Sequence, residues 1–224
     1  MSDLPVQAVD MPPQPSALRL IATLGGIAVL SGLLVVSTYQ LTKPRILENQ
    51  RQALARAVYS VLPDAVSRQN YRLEDGALIA DEAQPNVFAG FDAEGRLIGF
   101  AMEGSARGYQ DVVRLLYGYD AEKQEVVGMT VLQSTETPGL GDKIIRDPQF
   151  HENFRALDVS RTVEVVKEGE KTEPWQIDGI SGATVSSQAV GRAIETDAAR
   201  RAQVRAAHMA SPIQRAADRE EATE

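Results

Sequence analysis

The chain contains no cysteine and only two histidines, His151 and His208, among its 224 residues. Without thiolates it cannot ligate an iron-sulfur cluster, form a disulfide bond or attach haem through a C-x-x-C-H motif. Two histidines are too few for most zinc sites unless carboxylates complete them, so we expect no protein-bound metal. If the chain carries electrons, the carrier has to be an organic group.

Basic residues are outnumbered, since 23 Lys and Arg stand against 31 Asp and Glu, and the formal net charge is therefore -8 with a pI near 4.9. Such a surface offers no general attraction to phosphates, so we expect no nucleic acid partner. Hydrophobic residues make up 43% of the chain, which is enough for one domain and an anchor but hardly for two independent domains. We therefore predict a single folded unit besides any anchor.

A run without charged residues, from Leu20 to Thr42, predicts a membrane span. As a helix it would be about 34 Å long, which matches a hydrocarbon core of about 30 Å. A cleaved signal peptide has a shorter apolar core followed by small residues, whereas this run leads into Tyr39 and Lys43. We interpret residues 17–43 as a retained anchor in the lipid bilayer. Small residues that favour packing against other membrane subunits are Gly25, Gly26, Ala28 and Gly32.

Outside the span, the pattern changes three times. Residues 1–16 are rich in proline and have no periodicity, which predicts a disordered N-terminus. In residues 44–85 apolar side chains recur at helical spacing until Pro63, which predicts a stalk helix and then a linker. From residue 208 to residue 224 charge alternates with alanine, and we expect a polar tail.

The intervening residues, 86–207, predict a domain of the α+β class with an antiparallel sheet and helices. A helical pattern runs through Val190, Ala193, Ile194 and Ala198. Alternating or β-branched segments bounded by turns predict strands at 86–91, 96–103, 111–119, 125–133 and 162–166.

The stretch D-G-I-S-G-A-T-V-S-S at residues 178–187 precedes the last predicted helix. Gly179 and Gly182 allow tight turns and close backbone approach. Hydroxyl groups of Thr184, Ser186 or Ser187 can cap free amides at the start of that helix. Those amides and the helix dipole favour a phosphate, although a capped turn without a ligand is the ordinary interpretation of a shorter match.

A second glycine-rich loop, T-E-T-P-G-L-G at residues 135–141, follows the strand predicted to end at Gln133. Pro138 fixes one turn angle, and Gly139 and Gly141 permit contacts that a side chain would forbid. Such a loop can lie along a planar ring. By itself, it is most often a simple connection.

In this order the two stretches resemble the FMN-binding domain family, in which flavin is esterified through its phosphate to a threonine. The anchor and residues 90–205 are similar to the G subunit of Rnf-type electron transport complexes, and Gly108-Tyr109 is a weaker part of the match. The resemblance implies that Thr184 is the acceptor of covalent FMN. The further residues that it implies around the flavin are Asp178, Ser181, Gly182, Ala183, Ser187, Glu136, Thr137, Gly139, Leu140 and Gly141.

The resemblance also implies a biological setting. The chain would relay electrons in an ion-translocating complex of the ferredoxin:NAD+ type, without catalytic residues of its own. Its partners would be other membrane subunits and a flavin transferase that takes FMN from FAD. The domain would face the periplasm of a bacterial inner membrane. The excess of Lys43, Arg45, Arg51 and Arg56 over Arg19 favours the opposite orientation, but that rule is weak for large translocated domains.

Three alternatives remain open on the sequence alone. The C subunit of sodium-translocating NADH:quinone reductase shares the same features. A hydrolase would combine Ser181, Thr184 or Ser186 with His151 as base, although no G-x-S-x-G elbow is present. A non-redox anchored binding module would use both loops only as turns. Trp175 is compatible with stacking near a flavin and equally with core or interface packing.

Overall fold

The protein is described from a computed structural model that covers residues 16–213. The expectations for residues 1–15 and 214–224 lie outside the described residues. The chain divides into two units, Met1–Gln50 and Arg51–Glu224. The helices are α1 (Ala17–Val61), α2 (Lys143–Arg146), α3 (Pro148–Glu152), α4 (Thr184–Thr196) and α5 (Ala198–Ala210). The strands are β1 (Ser67–Glu74), β2 (Ala77–Ala80), β3 (Val87–Phe91), β4 (Leu97–Arg107), β5 (Val112–Asp120), β6 (Glu125–Gln133), β7 (Leu157–Asp158), β8 (Glu164–Val166) and β9 (Gln176–Asp178).

Helix α1 is continuous across Pro44, where the sequence pattern separated the anchor from the stalk helix. In the described part of the chain it is the one helix long and apolar enough to cross a membrane. Within the apolar stretch the hydroxyl groups of Thr23 and Thr42 donate to the carbonyl oxygens of Arg19 and Thr38, each at 2.8 Å. These bonds satisfy polar groups that a bilayer would leave without water.

Seven strands form one antiparallel sheet in the order β2-β1-β3-β4-β5-β6-β7, and β8 pairs in parallel with β9 in a small second sheet. The predicted α+β class with an antiparallel sheet is confirmed. Strand β6 has the predicted bounds, and β4 continues four residues beyond its predicted end at Glu103.

Residues 67–80 correct the expectation of a linker before residue 86, because they form β1 and β2. Strand β1 pairs with β3 and carries β2 on its other edge. Its sequence, SRQNYRLE, does not alternate between apolar and polar residues, and in the structure Tyr71 is its one buried residue. Pairing with a buried neighbour forms this strand, and its own hydrophobicity contributes little.

The end of the domain also differs from expectation. The predicted last helix is interrupted at Asp197, and α5 begins at Ala198 and extends to Ala210. Two residues of the expected polar tail are buried: His208 is 8% exposed, with its ring edge-on to Phe100, and Ile213 is 7% exposed, whereas residues 209–212 are exposed. Packing against the sheet therefore holds residues 208–213.

The sheet is covered by apolar side chains on both faces. On one face α4 and α5 pack with Phe100, Leu115 and Tyr117 in the main core. On the opposite face Val61 and Leu62, at the end of α1, pack in a separate cluster. This arrangement leaves the start of α4 beside the loops that follow β4 and β6, and that is where the candidate site lies.

Candidate functional site

A cavity of about 350 Å³ opens where the start of α4 meets the loop between β4 and β5 and the loop after β6. Its volume lies within the range of about 300–1,000 Å³ that is usual for small-molecule sites. The residues that line it are Tyr109, Glu136, Thr137, Leu140, Gly141, Gly182, Ala183, Thr184, Val185 and Ser186.

Thr184 is the first residue of α4, and its side chain is exposed on the wall of this cavity. The preceding residue, Ala183, occupies the N-cap position without a side-chain hydrogen bond, so no side chain caps the helix start. Gly182 has a φ of 80°, a left-handed conformation that side chains rarely adopt. A hydroxyl group is thus presented beside uncapped helix amides, which favour an anion.

Ser187 stabilises the turn before α4 through hydrogen bonds and does not line the cavity. Its hydroxyl donates to Ala183 O at 3.0 Å and accepts from Ile180 N at 3.1 Å, and the side chain is fully buried. The hydroxyl group therefore connects the turn at residues 180–183 to the first turn of α4. Its contribution to the site is to fix the backbone that presents Thr184.

Glu136 is a buried carboxylate, 6% exposed, at the edge of the cavity. Its Oε1 accepts from Gln110 N at 3.0 Å, and its Oε2 accepts a short hydrogen bond from the Ser186 hydroxyl. Burial raises the pKa of Glu136, but the Ser186 hydroxyl and the amides of Gln110, Tyr109 and Asp111 outweigh it and hold this pKa below its ordinary value. The group is therefore an anion at neutral pH.

Asp178 and Ser181 are directed to other contacts. The carboxylate of Asp178 accepts from Gly169 N at 2.7 Å, and its backbone bonds to Asn153. The exposed Ser181 bonds through its amide to Glu168 at 3.0 Å, and hydrogen bonds from its hydroxyl and amide lower the pKa of that carboxyl. Both residues thus shape the connection before α4 rather than the cavity wall.

Seven of the eleven residues expected around a flavin line the cavity together: Thr184, Gly182, Ala183, Glu136, Thr137, Leu140 and Gly141. The other four, Asp178, Ser181, Ser187 and Gly139, do not. Gly139 instead forms a left-handed turn, with φ of 80°, whose amide donates to Asp142. Sequence reasoning did not assign Val185 or Ser186 to the flavin site, and it took Tyr109 only as part of a weak match. The signal that could have identified these two positions is the order of residues after Thr184, where the apolar Val185 is followed by the hydroxyl residue Ser186.

The arrangement needed for a hydrolase is not formed by these residues. The Nε2 atom of His151 lies 3.1 Å from Ile145 O, and the ring lines a different groove, with Ser60 and Arg155. The group bonded to Ser186 is the carboxylate of Glu136. Trp175 does not line the cavity either, and the guanidinium of Arg161 lies 4.8 Å from its ring centre.

Comparison with known proteins assigns this architecture to a family. Residues 108–198 match the FMN-binding domain family, and residues 14–61 match the RnfG N-terminal region. The first match contains both motif loops and α4, and the second contains the apolar stretch of α1. The two matches thus cover the cavity and the apolar helix.

A solved structure with the same fold is that of the C subunit of Na(+)-translocating NADH-quinone reductase from Parabacteroides distasonis. The TM-score is 0.56 at 19% sequence identity, over 71% of this chain and 96% of that one. At this identity the likeness establishes the fold alone. It agrees with the antiparallel sheet and helices described above.

Curated relatives are more similar in sequence. The G subunit of the ion-translocating oxidoreductase complex from Methanosarcina acetivorans is 31% identical over 80% of this chain and 90% of its own length. The protein of the same name from Aliivibrio fischeri is 31% identical over 75% of this chain and 82% of its own. The chain therefore belongs to the family of G subunits of ion-translocating oxidoreductase complexes, with an FMN-binding domain and an apolar N-terminal helix that supports a membrane location.

Proposed function

We propose that this protein is a membrane-anchored electron-transfer subunit that carries FMN through a phosphoester bond to Thr184. The observation that carries the proposal is the exposed hydroxyl of Thr184 at the uncapped start of α4, on the wall of a 350 Å³ cavity. Its place in the cell would be an ion-translocating complex of the ferredoxin:NAD+ type, where the other membrane subunits are its partners.

The residues around the cavity fit an FMN group. A phosphate ester on Thr184 would lie next to the first amides of α4, whose dipole stabilises negative charge. The large apolar side chains Tyr109, Leu140 and Val185 are 70%, 51% and 41% exposed where they border the same cavity. Apolar surface of this kind suits a planar ring system. A bound flavin accepts one or two electrons, which suits a relay.

The attachment itself would be the work of a separate flavin transferase with FAD as the donor. The Thr184 oxygen forms a bond to the phosphorus nearer the riboflavin, the pyrophosphate bond breaks, and AMP leaves. The hydroxyl proton passes to a base of the transferase. The chain contributes an accessible hydroxyl with the small neighbours Gly182 and Ala183, which leave room for the transferase.

Denaturing gel electrophoresis with in-gel fluorescence tests the proposal. The full chain is co-expressed with a flavin transferase as wild type, Thr184→Ala and Thr196→Ala. Thr196 is a matched control because it is exposed at the opposite end of the same helix. We expect a fluorescent band in wild type and Thr196→Ala and none in Thr184→Ala. A fluorescent band in Thr184→Ala would mean that FMN is attached to another residue. The absence of a band in all three proteins would favour a non-redox anchored module.

We also propose that residues 17–43 cross the bacterial inner membrane once and that the folded unit faces the periplasm. The large size of that unit supports this orientation over the cationic residues after the span, because charge bias is dependable for short loops only. A fusion of alkaline phosphatase to the C-terminus should be active, and a fusion of green fluorescent protein at the same point should be dark. The reverse result would refute a periplasmic domain.

The C subunit of a sodium-translocating NADH:quinone reductase is the alternative within flavoproteins that the sequence alone left open. Its solved relative has the same fold, but the curated relatives with 31% identity are named as the G subunit of the ion-translocating oxidoreductase complex. Affinity purification of the tagged chain from its native membrane, followed by mass spectrometry, distinguishes the two complexes. We expect components of the ion-translocating oxidoreductase in the eluate, and components of the quinone reductase would reverse the assignment.

A further inference from the structure

Glu136 is an unusual residue for its position, because it is a buried charge without an ion pair. It is 6% exposed, and none of the ion pairs within residues 16–213 includes it. Burial of an anion is costly unless hydrogen bonds replace the lost water. The way in which this carboxylate is satisfied therefore indicates what it does.

The two carboxylate oxygens of Glu136 bond to two different elements. Oε1 accepts from the amide of Gln110, in the loop between β4 and β5, at 3.0 Å. Oε2 accepts from the hydroxyl of Ser186, which is 2% exposed in the first turn of α4. One side chain thus joins three segments that surround the cavity, counting its own loop after β6.

Two glycines make room for this carboxylate. A Cβ atom at Gly108 would lie 2.5 Å from Oε1 of Glu136, and a Cβ atom at Gly141 would lie 2.7 Å from both Oε2 and the Ser186 oxygen. A Cβ atom essentially never makes a contact this short, so any side chain at either position would displace the carboxylate or its partner. The loops are therefore shaped around the bond between Glu136 and Ser186.

We propose that Glu136 is a positioning residue for flavin attachment, which acts through Ser186 to fix the first turn of α4 and so the direction of the Thr184 hydroxyl. This inference rests on the proposed function of Thr184. Thr184 and Ser186 are two residues apart in the same helical turn, so a fixed Ser186 hydroxyl limits the rotation and fraying of the turn that carries the acceptor. The lowered pKa of Glu136 keeps the carboxylate available as an acceptor for both bonds at neutral pH.

The test measures the initial rate at which the purified full chain, in detergent micelles, receives FMN from FAD and a flavin transferase. Varying the chain concentration separates kcat from KM. The variants are Glu136→Ala, which removes both bonds, and Glu136→Gln, whose amide oxygen can accept from Gln110 while its NH₂ donates to Ser186. Glu195→Ala is the control, because its carboxylate accepts from Val163 N at 3.0 Å near the other end of α4.

We expect Glu136→Ala to lower kcat about tenfold with little change in KM, because misdirection of a reacting group affects the bond-forming step. Glu136→Gln should recover most of the rate, and Glu195→Ala should stay near wild type. A wild-type rate in Glu136→Ala would overturn the proposal. So would a loss of equal size in Glu195→Ala, or a Glu136→Gln rate as low as that of Glu136→Ala.

Hydrogen exchange on the unmodified chain supplies a measurement that needs no flavin. Glu136→Ala should increase exchange both at residues 109–111 and at the amide of Ser187 in α4, which donates to Ala183 O at 2.8 Å, and Glu195→Ala should leave both protected. An increase at one segment alone would contradict a bridging carboxylate. If the wild-type chain is not modified at Thr184, the proposed function fails and the attachment role with it, whereas the exchange result still decides whether Glu136 joins the two segments.

Discussion

Glycine makes room for different kinds of atoms in two regions of the folded unit. In the cavity region Gly108 and Gly141 make room for a charged group, the carboxylate of Glu136. On the opposite face of the sheet Gly118 and Gly128, which are paired in register, make room for the main chain of Val61. The first pair of glycines lies beside a polar group at the cavity, and the second pair lies against the backbone of a buried residue.

The comparison shows that close approach has different consequences in the two regions. At the end of α1 the side chain of Leu62 is fully buried and the neighbours are backbone atoms, which cannot rotate away. In the cavity the two nearest neighbours of Gly141 are the ends of the Glu136 and Ser186 side chains, which can move at the expense of hydrogen bonds. We therefore expect changes at the α1 contact to affect folding most and changes in the cavity to affect flavin attachment most.

The largest effect should follow Gly118→Val. A Cβ atom at this position would lie 2.2 Å from Val61 O, a backbone atom, so the end of α1 would have to leave the sheet. We expect a loss of about 4–5 kcal/mol in the free energy of unfolding, measured by urea denaturation. As a control, Gly169→Ala should lose only about 1 kcal/mol, since its φ is 82° but no atom lies within 4 Å. Equal losses would mean that the contact with α1 is unimportant.

A smaller effect should follow Leu62→Ala, which removes the side chain that Gly90, Gly99 and Gly118 accommodate. Leu62 is fully buried, so the cavity left behind should cost about 3 kcal/mol. Leu140, which is 51% exposed at the cavity, is the matched leucine, and Leu140→Ala should change stability by less than about 0.5 kcal/mol. Thermal unfolding of both variants measures this difference. A lower melting temperature for Leu140→Ala than for Leu62→Ala would refute the contrast between the two regions.

Gly141→Ala should cost about 2 kcal/mol, because the added methyl group overlaps Glu136 and Ser186 and one of the two must move. Unlike Leu62→Ala, it should also slow the attachment of FMN to Thr184. In-gel fluorescence after a fixed reaction time, normalised to folded protein, measures that loss. Normal attachment in this variant would mean that the bond between Glu136 and Ser186 does not govern the acceptor.

The smallest effect concerns pH. The pKa of Glu136 is lowered in the folded chain, so its ionised form stabilises the fold at pH above the ordinary value of 4.5. That stabilisation is lost as the pH falls through the lower folded pKa. The difference in unfolding free energy between wild type and Glu136→Gln should therefore be constant from pH 5 to pH 8, a range that lies above 4.5, and should shrink in favour of the variant below it. A difference that is unchanged at acid pH would contradict an ionised Glu136.

Much of the domain follows from local patterns. The alternation in residues 125–133 predicted β6 with its observed bounds, and the loop at residues 135–141 was expected to be a binding loop once its glycines were matched to the family motif. The pattern failed for β1 and for the end of α5. In β1 mostly polar residues form a strand because its backbone pairs with β2 on one side and β3 on the other. In α5 Arg201 is 3% exposed because its guanidinium bonds to Ile194 O and lies near the ring of Tyr117. Strand β3 pairs with β1 and Tyr117 lies beside Arg201, and local hydrophobicity cannot indicate such contacts between separate elements.

The sequence by itself determined the apolar helix, the α+β class and the two motif loops, because each depends on neighbours within a few residues. Only the tertiary structure decided which motif residues meet. It brings Glu136 and Ser186 together across 50 positions, and it turns Asp178 and Ser181 towards other partners. The physical reason is that a hydrogen bond needs two groups within about 3 Å. Sequence spacing fixes that separation along a helix or a strand, but only the packing of α4 against the sheet fixes it across the cavity.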